Sequence, residues 1–162
     1  LDESVRERAN YILAKSLLLN QNSGQAIEEF KRLTKAKNPE YAAEAQYVLA
    51  EIAFNSGKIE ESEKMIHQIN ANPSSEYWLA KTFVLWADIF KSKGNTIQAK
   101  QTLQSIIDNY EGDEELIELA KQKLLSLTDE ETKALQETED KRQEHQEAVD
   151  EIIIEDAEQQ NQ

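Results

Sequence analysis

The chain has 162 residues, of which 39% are hydrophobic and 31% charged; its two prolines and four glycines are too few for an all-β domain, which needs a turn roughly every 8–12 residues. Cysteine is absent, which excludes disulfides and thiolate metal sites, and no apolar run approaches the roughly 18–20 residues of a membrane span. A net charge of −14 argues against wrapping a nucleic-acid backbone.

In chain order, the first predicted helix begins almost at Leu1 and carries Tyr11, Ile12, Leu13 and Ala14. Tyr47, Val48, Leu49 and Ala50 repeat that pattern, and Val84, Leu85, Trp86 and Ala87 repeat it again. The three alanines are 36 and 37 residues apart. Twelve residues beyond each stands a small residue: Ala26, Ser62 and Ala99. A large apolar residue follows at Phe30, Ile66 and Leu103, and another at Leu33, Ile69 and Ile106. This period marks an array of two-helix units, each half predicting a helix of about 14 residues. The small residues are the ones that close packing of the two helices demands. Gly57 and Gly94 end the first helices by tolerating a left-handed backbone. Asn38 before Pro39, and Asn72 before Pro73, each place an N-cap ahead of a proline suited to the first helical position; Asn109 repeats them in the third connection. Phe83, Trp86, Ala87 and Phe90 share one face of the fifth predicted helix and read as core. Tyr77 and Trp78 read as packing between the second and third units.

On these residues the units resemble tetratricopeptide repeats, with spans of about 7–40, 43–76 and 80–113. They depart from that pattern where Ala14, Ala50 and Ala87 replace the usual first-helix glycine, and where Ser62 replaces the second-helix alanine. The resemblance implies an all-α right-handed superhelix over residues 1–127: three hairpins, then a capping helix over 113–127. The stretch from Glu76 to Gly112 is similar to the C-terminal part of large multi-repeat proteins of Gram-negative bacteria, which implies a periplasmic or cell-envelope setting. Leu17, Leu18 and Leu19 form a broad apolar surface with no cap, so further repeats are expected ahead of Leu1.

The capping helix has acidic residues in its first turn, favourable to the helix dipole, and sets Leu116, Leu119, Ala120, Lys123, Leu124 and Leu127 near one face. Residues 128–162 follow as an acidic tail with a net charge of −10, against −4 for residues 1–127. Such a segment, poor in apolar residues, is expected to be partly helical or disordered. Thr128 and Glu131 form a capping-box pattern, predicting a new helix over about 129–148. The apolar cluster Val149–Ile154 reads either as a helix-end contact without a role or as a short docking or dimerisation segment.

Candidate chemistry is thin. Glu63 and His67 lie at i, i+4 and supply half a metal site; they and His145 read as solvated helix face. Residues 111–115 lack the alternation of a calcium loop, and neither a phosphate-binding glycine loop nor a Gly-x-Ser-x-Gly turn is present. No enzyme, cofactor or metal is expected. The resemblance instead implies a concave groove lined by the first helices: Arg8, Tyr11, Lys15 and Leu18 from unit one; Glu44, Tyr47, Glu51 and Phe54 from unit two; Lys81, Val84, Asp88 and Lys91 from unit three. The Lys and Asn set with which chaperone-tail clamps hold a carboxylate is not reproduced. The expected function is a non-catalytic scaffold binding a protein or peptide, without nucleic acid. The alternative is a structural spacer or homodimerisation module using the end faces or the tail.

Overall fold

The computed structural model describes residues 2–160, with side chains as far as Asp150. Among these residues all regular structure is helical: α1 (Glu3–Leu19), α2 (Ser23–Leu33), α3 (Pro39–Asn55), α4 (Ile59–Ala71), α5 (Glu76–Ser92), α6 (Thr96–Asn109) and α7 (Glu114–Gln160). None of the described helices is long and apolar enough to cross a membrane. The chain divides into two units, Leu1–Gln122 and Lys123–Gln162.

The first unit is built from three helical hairpins. α1 packs on α2, α3 on α4 and α5 on α6; α2 then meets α3, α4 meets α5, and α3 meets α5. Each first helix starts four residues ahead of the unit boundaries expected at 7, 43 and 80. The repeated small residues are the tightest points of the stack. Ala14, Ala26, Ala50, Ser62 and Ala99 are completely buried and Ala87 nearly so. Ser62 is accommodated because its hydroxyl donates a 2.8 Å hydrogen bond to the Ala50 carbonyl across the hairpin. Around these points Phe30, Leu33, Ile66 and Ile69 of the second helices join Ala45, Val48, Leu85 and Ile89 of the first helices in one core.

All three hairpins turn the same way. At the end of α3, Gly57 and Lys58 donate backbone N–H bonds to the carbonyls of Phe54 and Ala53; at the end of α5, Gly94 and Asn95 donate to Lys91 and Phe90. This is the paired bond pattern of a Schellman cap, and both glycines have φ of 75°. At the end of α1 the same two bonds run from Gln21 to Leu18 and from Asn22 to Leu17. Gln21 therefore holds φ at 58° without being glycine. The left-handed conformation costs a side-chain-bearing residue about 1–2 kcal/mol, more than the roughly 0.5–1 kcal/mol of extra chain entropy that glycine loses. Gln21→Gly is expected to stabilise the fold by about 0.5–1 kcal/mol, read as a higher urea midpoint at unchanged slope.

The Asn38 side chain accepts N–H bonds from Glu40 and Tyr41, with Pro39 in the first turn, as its sequence predicts. Asn72 does not act this way. It ends α4, and the N-cap of α5 is Ser75, whose oxygen accepts from the Trp78 N–H. Ser75 also donates to Glu40 on α3, which fixes the connection one turn later than the Asn72–Pro73 pair implied.

The stripe of Phe83, Trp86 and Phe90 is half-buried rather than central. α5 lies against three other helices, α3, α4 and α6, so its buried arc is broad and includes Ala80, Thr82, Val84, Leu85, Ala87 and Ile89. The three rings stack along its edge at 5.9 and 5.6 Å.

α7 starts where the Asp113 carboxylate accepts the Leu116 N–H at 2.8 Å. Within the first unit, Leu116 and Ala120 are buried while Leu119 is 39% exposed. In the second unit the capping box at Thr128 does not form. Thr128 sits inside the helix, and its hydroxyl donates back to the Leu124 carbonyl, the local bond a mid-helix threonine makes. Every side chain from Thr128 to Ala148 is exposed, and Val149 is half-buried. Of the rest of the Val149–Ile154 cluster, Asp150 is exposed and residues 151–154 lie outside the described side chains.

Candidate protein-binding face

The first helices bring the expected lining residues together in two groups. The first lies between α1 and α3. Tyr11 donates a 2.6 Å hydrogen bond to Glu44, Lys15 donates to the Tyr11 hydroxyl at 3.0 Å, and Lys15 and Glu44 form an ion pair at 2.9 Å. The Tyr41 ring stacks on Tyr11 at 4.4 Å, nearly parallel. The Glu44 carboxylate is largely buried and Lys15 is half-exposed, so one end of this group meets solvent.

The second group lies between α3 and α5. The Tyr47 hydroxyl donates to Glu51, and its ring meets Trp78 at 5.3 Å. The Lys81 ammonium sits 5.0 Å from the Trp78 ring, 5.1 Å from Tyr47 and 5.9 Å from Tyr77, within cation–π range of all three. Asp88 lies near enough to Tyr47 to act on its ionisation.

The other expected residues divide by burial. Arg8 and Lys91 are exposed, while Leu18 and Phe54 turn inward and pack against the core. Val84 is buried, as are Glu44 and Tyr47. Glu44 and Tyr47 belong to the seams between hairpins: Glu44 is held by Tyr11 and Lys15 of α1, and Tyr47 meets Trp78 where α3 packs on α5. Tyr41 is the residue that the groove expectation missed. Its spacing of 37 residues from Trp78 is the available signal: both sit in the first turn of a first helix and both set a ring against a tyrosine across a seam.

The electrostatics of both groups share a sign. Burial, reinforced by Glu44, raises the Tyr11 hydroxyl above its ordinary range; Lys15 opposes the shift and is itself raised by its bonds to Tyr11 and Glu44. Burial, then Glu51, raises Tyr47 strongly. Each group holds its proton more firmly folded than unfolded. Their contribution is therefore complete below about pH 10, the ordinary tyrosine value, and is lost as pH rises through the raised values. Urea midpoints measured from about pH 8 to 11 are expected to fall above about pH 10, and Tyr47→Phe to flatten part of that fall.

Elsewhere, Glu63 is bound by Lys93 at 2.9 Å, and His67 meets the Trp86 ring edge-on at 5.1 Å. Both are occupied in packing between α4 and α5. Among the described residues no group of three or more His, Asp or Glu side chains could hold a metal ion. No known family model matches the sequence, and no curated protein matches it.

Proposed function

We propose that the chain is a non-catalytic scaffold of the tetratricopeptide type, binding a protein or peptide along the face formed by α1, α3 and α5. The observation that carries this reading is the pair of aromatic and charged groups at the two seams. Tyr11 with Tyr41, and Trp78 seated on the buried Tyr47, give half-buried apolar rings whose positions are set by packing between hairpins. Lys15 stands at the solvent edge of the first seam, and Arg8 on α1 and Lys91 on α5 are exposed. Rings held in place lose little entropy on binding, and the charges around them set register and encounter rate.

The test is a photo-crosslinking residue placed in turn at Arg8, Lys15 and Lys91, with Gln101, exposed on α6, as the control. The same partner is expected from all three first-helix positions and not from Gln101. Equal yield from Gln101, or no product from the first-helix positions, overturns the proposal.

A further inference from the structure

One flank of α5 departs from the repeat. Leu79, Phe83, Trp86 and Phe90 stand where α3, 37 residues earlier, has Ala42, Gln46, Leu49 and Ala53. The two alanines are buried, whereas all four larger side chains on α5 are half-buried. By helical register this flank lies opposite Lys81, so it is not part of the face formed by α1, α3 and α5. The row runs over residues 79–90, about 17 Å of helix at a rise of 1.5 Å per residue.

At the start of the row, between the first turns of α5 and the end of α6, opens a cavity of about 380 Å³. Leu79, Phe83, Ile106 and Tyr110 supply its apolar part. The Tyr110 wall is fixed in place. Its hydroxyl accepts the Asp113 N–H at 3.0 Å, and its ring lies so close over Gly112 that a Cβ there would strike it. Ser105 and Asn109, also in the lining, are bonded to each other. Glu76 and Glu111 are different. Both line the cavity, both are exposed, and neither has a cationic partner among the described residues. No Lys or Arg lines the cavity. The corresponding positions of the second hairpin hold Pro39 and Ser74, so the carboxylates, like the large apolar side chains, are particular to the third.

We propose that this cleft docks a basic amphipathic segment of a partner protein, with an apolar side chain between Phe83 and Tyr110 and a neighbouring Lys or Arg against Glu76 and Glu111. The cavity falls within the roughly 300–1,000 Å³ of sites that take a ligand group, and like them it is mostly apolar with a few placed polar atoms. Charge complementarity selects the occupant: two carboxylates without partners attract a cation and penalise an acidic segment. The length of the apolar row beyond the cavity suits a peptide of several residues better than a compact small molecule.

The experiment selects random twelve-residue peptides, displayed on phage, against the full chain, and measures the affinity of the recovered peptides made synthetically. They are expected to carry a Leu or aromatic residue within one helical turn of a Lys or Arg. Ser105→Trp, which fills the mouth of the cleft from an exposed position, and the pair Glu76→Lys with Glu111→Lys are each expected to weaken binding by about tenfold or more. Gln25→Trp, exposed on α2, is expected to leave it unchanged. All these variants should melt within about 2 °C of the original chain, as exposed positions do. Acidic or uncharged peptides, undiminished binding to Ser105→Trp, or no enrichment over the Ser105→Trp chain overturns the proposal. Peptides that Lys15→Glu releases and Ser105→Trp does not belong to the first-helix face; they overturn this proposal and leave the scaffold reading standing. A dimer that Ser105→Trp dissociates in sedimentation would give the cleft to a second copy and overturn it too.

Discussion

Phe30→Ala is expected to cost about 3–5 kcal/mol, the largest single-site loss in the molecule. Phe30 is completely buried on α2, where it joins Leu33, Ala45 and Val48 in the core shared by the first two hairpins. Removing the ring gives up its transfer free energy and leaves a void between helices tied to their neighbours, which limits collapse. In a stacked array the damage should be local first, because each hairpin touches only its neighbours. Hydrogen exchange should therefore lose protection over α1 and α2 while α5 and α6 keep theirs. Leu135→Ala is the control: Leu135 is 67% exposed on α7, and its loss should change stability by no more than about 0.5 kcal/mol. Equal losses from the two changes would mean that the burial of Phe30 is not what holds the first hairpin.

The second large effect is expected from a gain of volume. Ala50→Leu adds three carbons at a completely buried point where α3 crosses α4 and where the Ala50 carbonyl accepts the Ser62 hydroxyl. The side chain has no space to enter, so α4 must move away. That movement stretches the Ser62 bond and separates Ile66 and Ile69 from the core. Overpacking of this kind costs about 1–3 kcal/mol, and the loss should sit at the upper end because a buried hydroxyl also loses its acceptor. Thermal melts would show a fall of several degrees. Ala50→Gly, which adds no volume, should cost about 1–2 kcal/mol through helix propensity and the lost buried methyl group. If Leu is tolerated as well as Gly, the small residues do not set the spacing of the hairpins.

These two sites also mark what could be read in advance. Ala14, Ala26, Phe30 and their counterparts were legible because helix crossings select for side-chain size, and size repeats visibly at 36 and 37 residues. Other features depend on choices that one residue type makes in several ways. Thr128 has the identity of a cap, yet its hydroxyl bonds back within the helix. Asn38 and Asn72 both precede proline, yet only Asn38 caps the helix that follows it; at the second site Ser75, tied to Glu40, takes that part. The left-handed turn at Gln21 carries no glycine to announce it, and only the matching bonds at Gly57 and Gly94 reveal it. The proposed binding face was legible in its membership more than in its depth. Tyr11, Lys15, Glu44, Tyr47, Glu51 and Lys81 do gather, but how far Glu44, Tyr47 and Val84 are buried depends on how the hairpins pack on one another.

The three matching turns after α1, α3 and α5 have a consequence for how the molecule can change in length. Each turn closes through the same two backbone bonds, so the amount of chain between one crossing point and the next is set by geometry rather than by side-chain identity. Whole hairpins can be duplicated or deleted with the joints left intact, whereas inserting a few residues within a hairpin shifts its second helix out of phase with every partner. Variation in length is thus confined to steps of one block, and smaller changes should be tolerated in the connections at 34–38, 72–75 and 110–113.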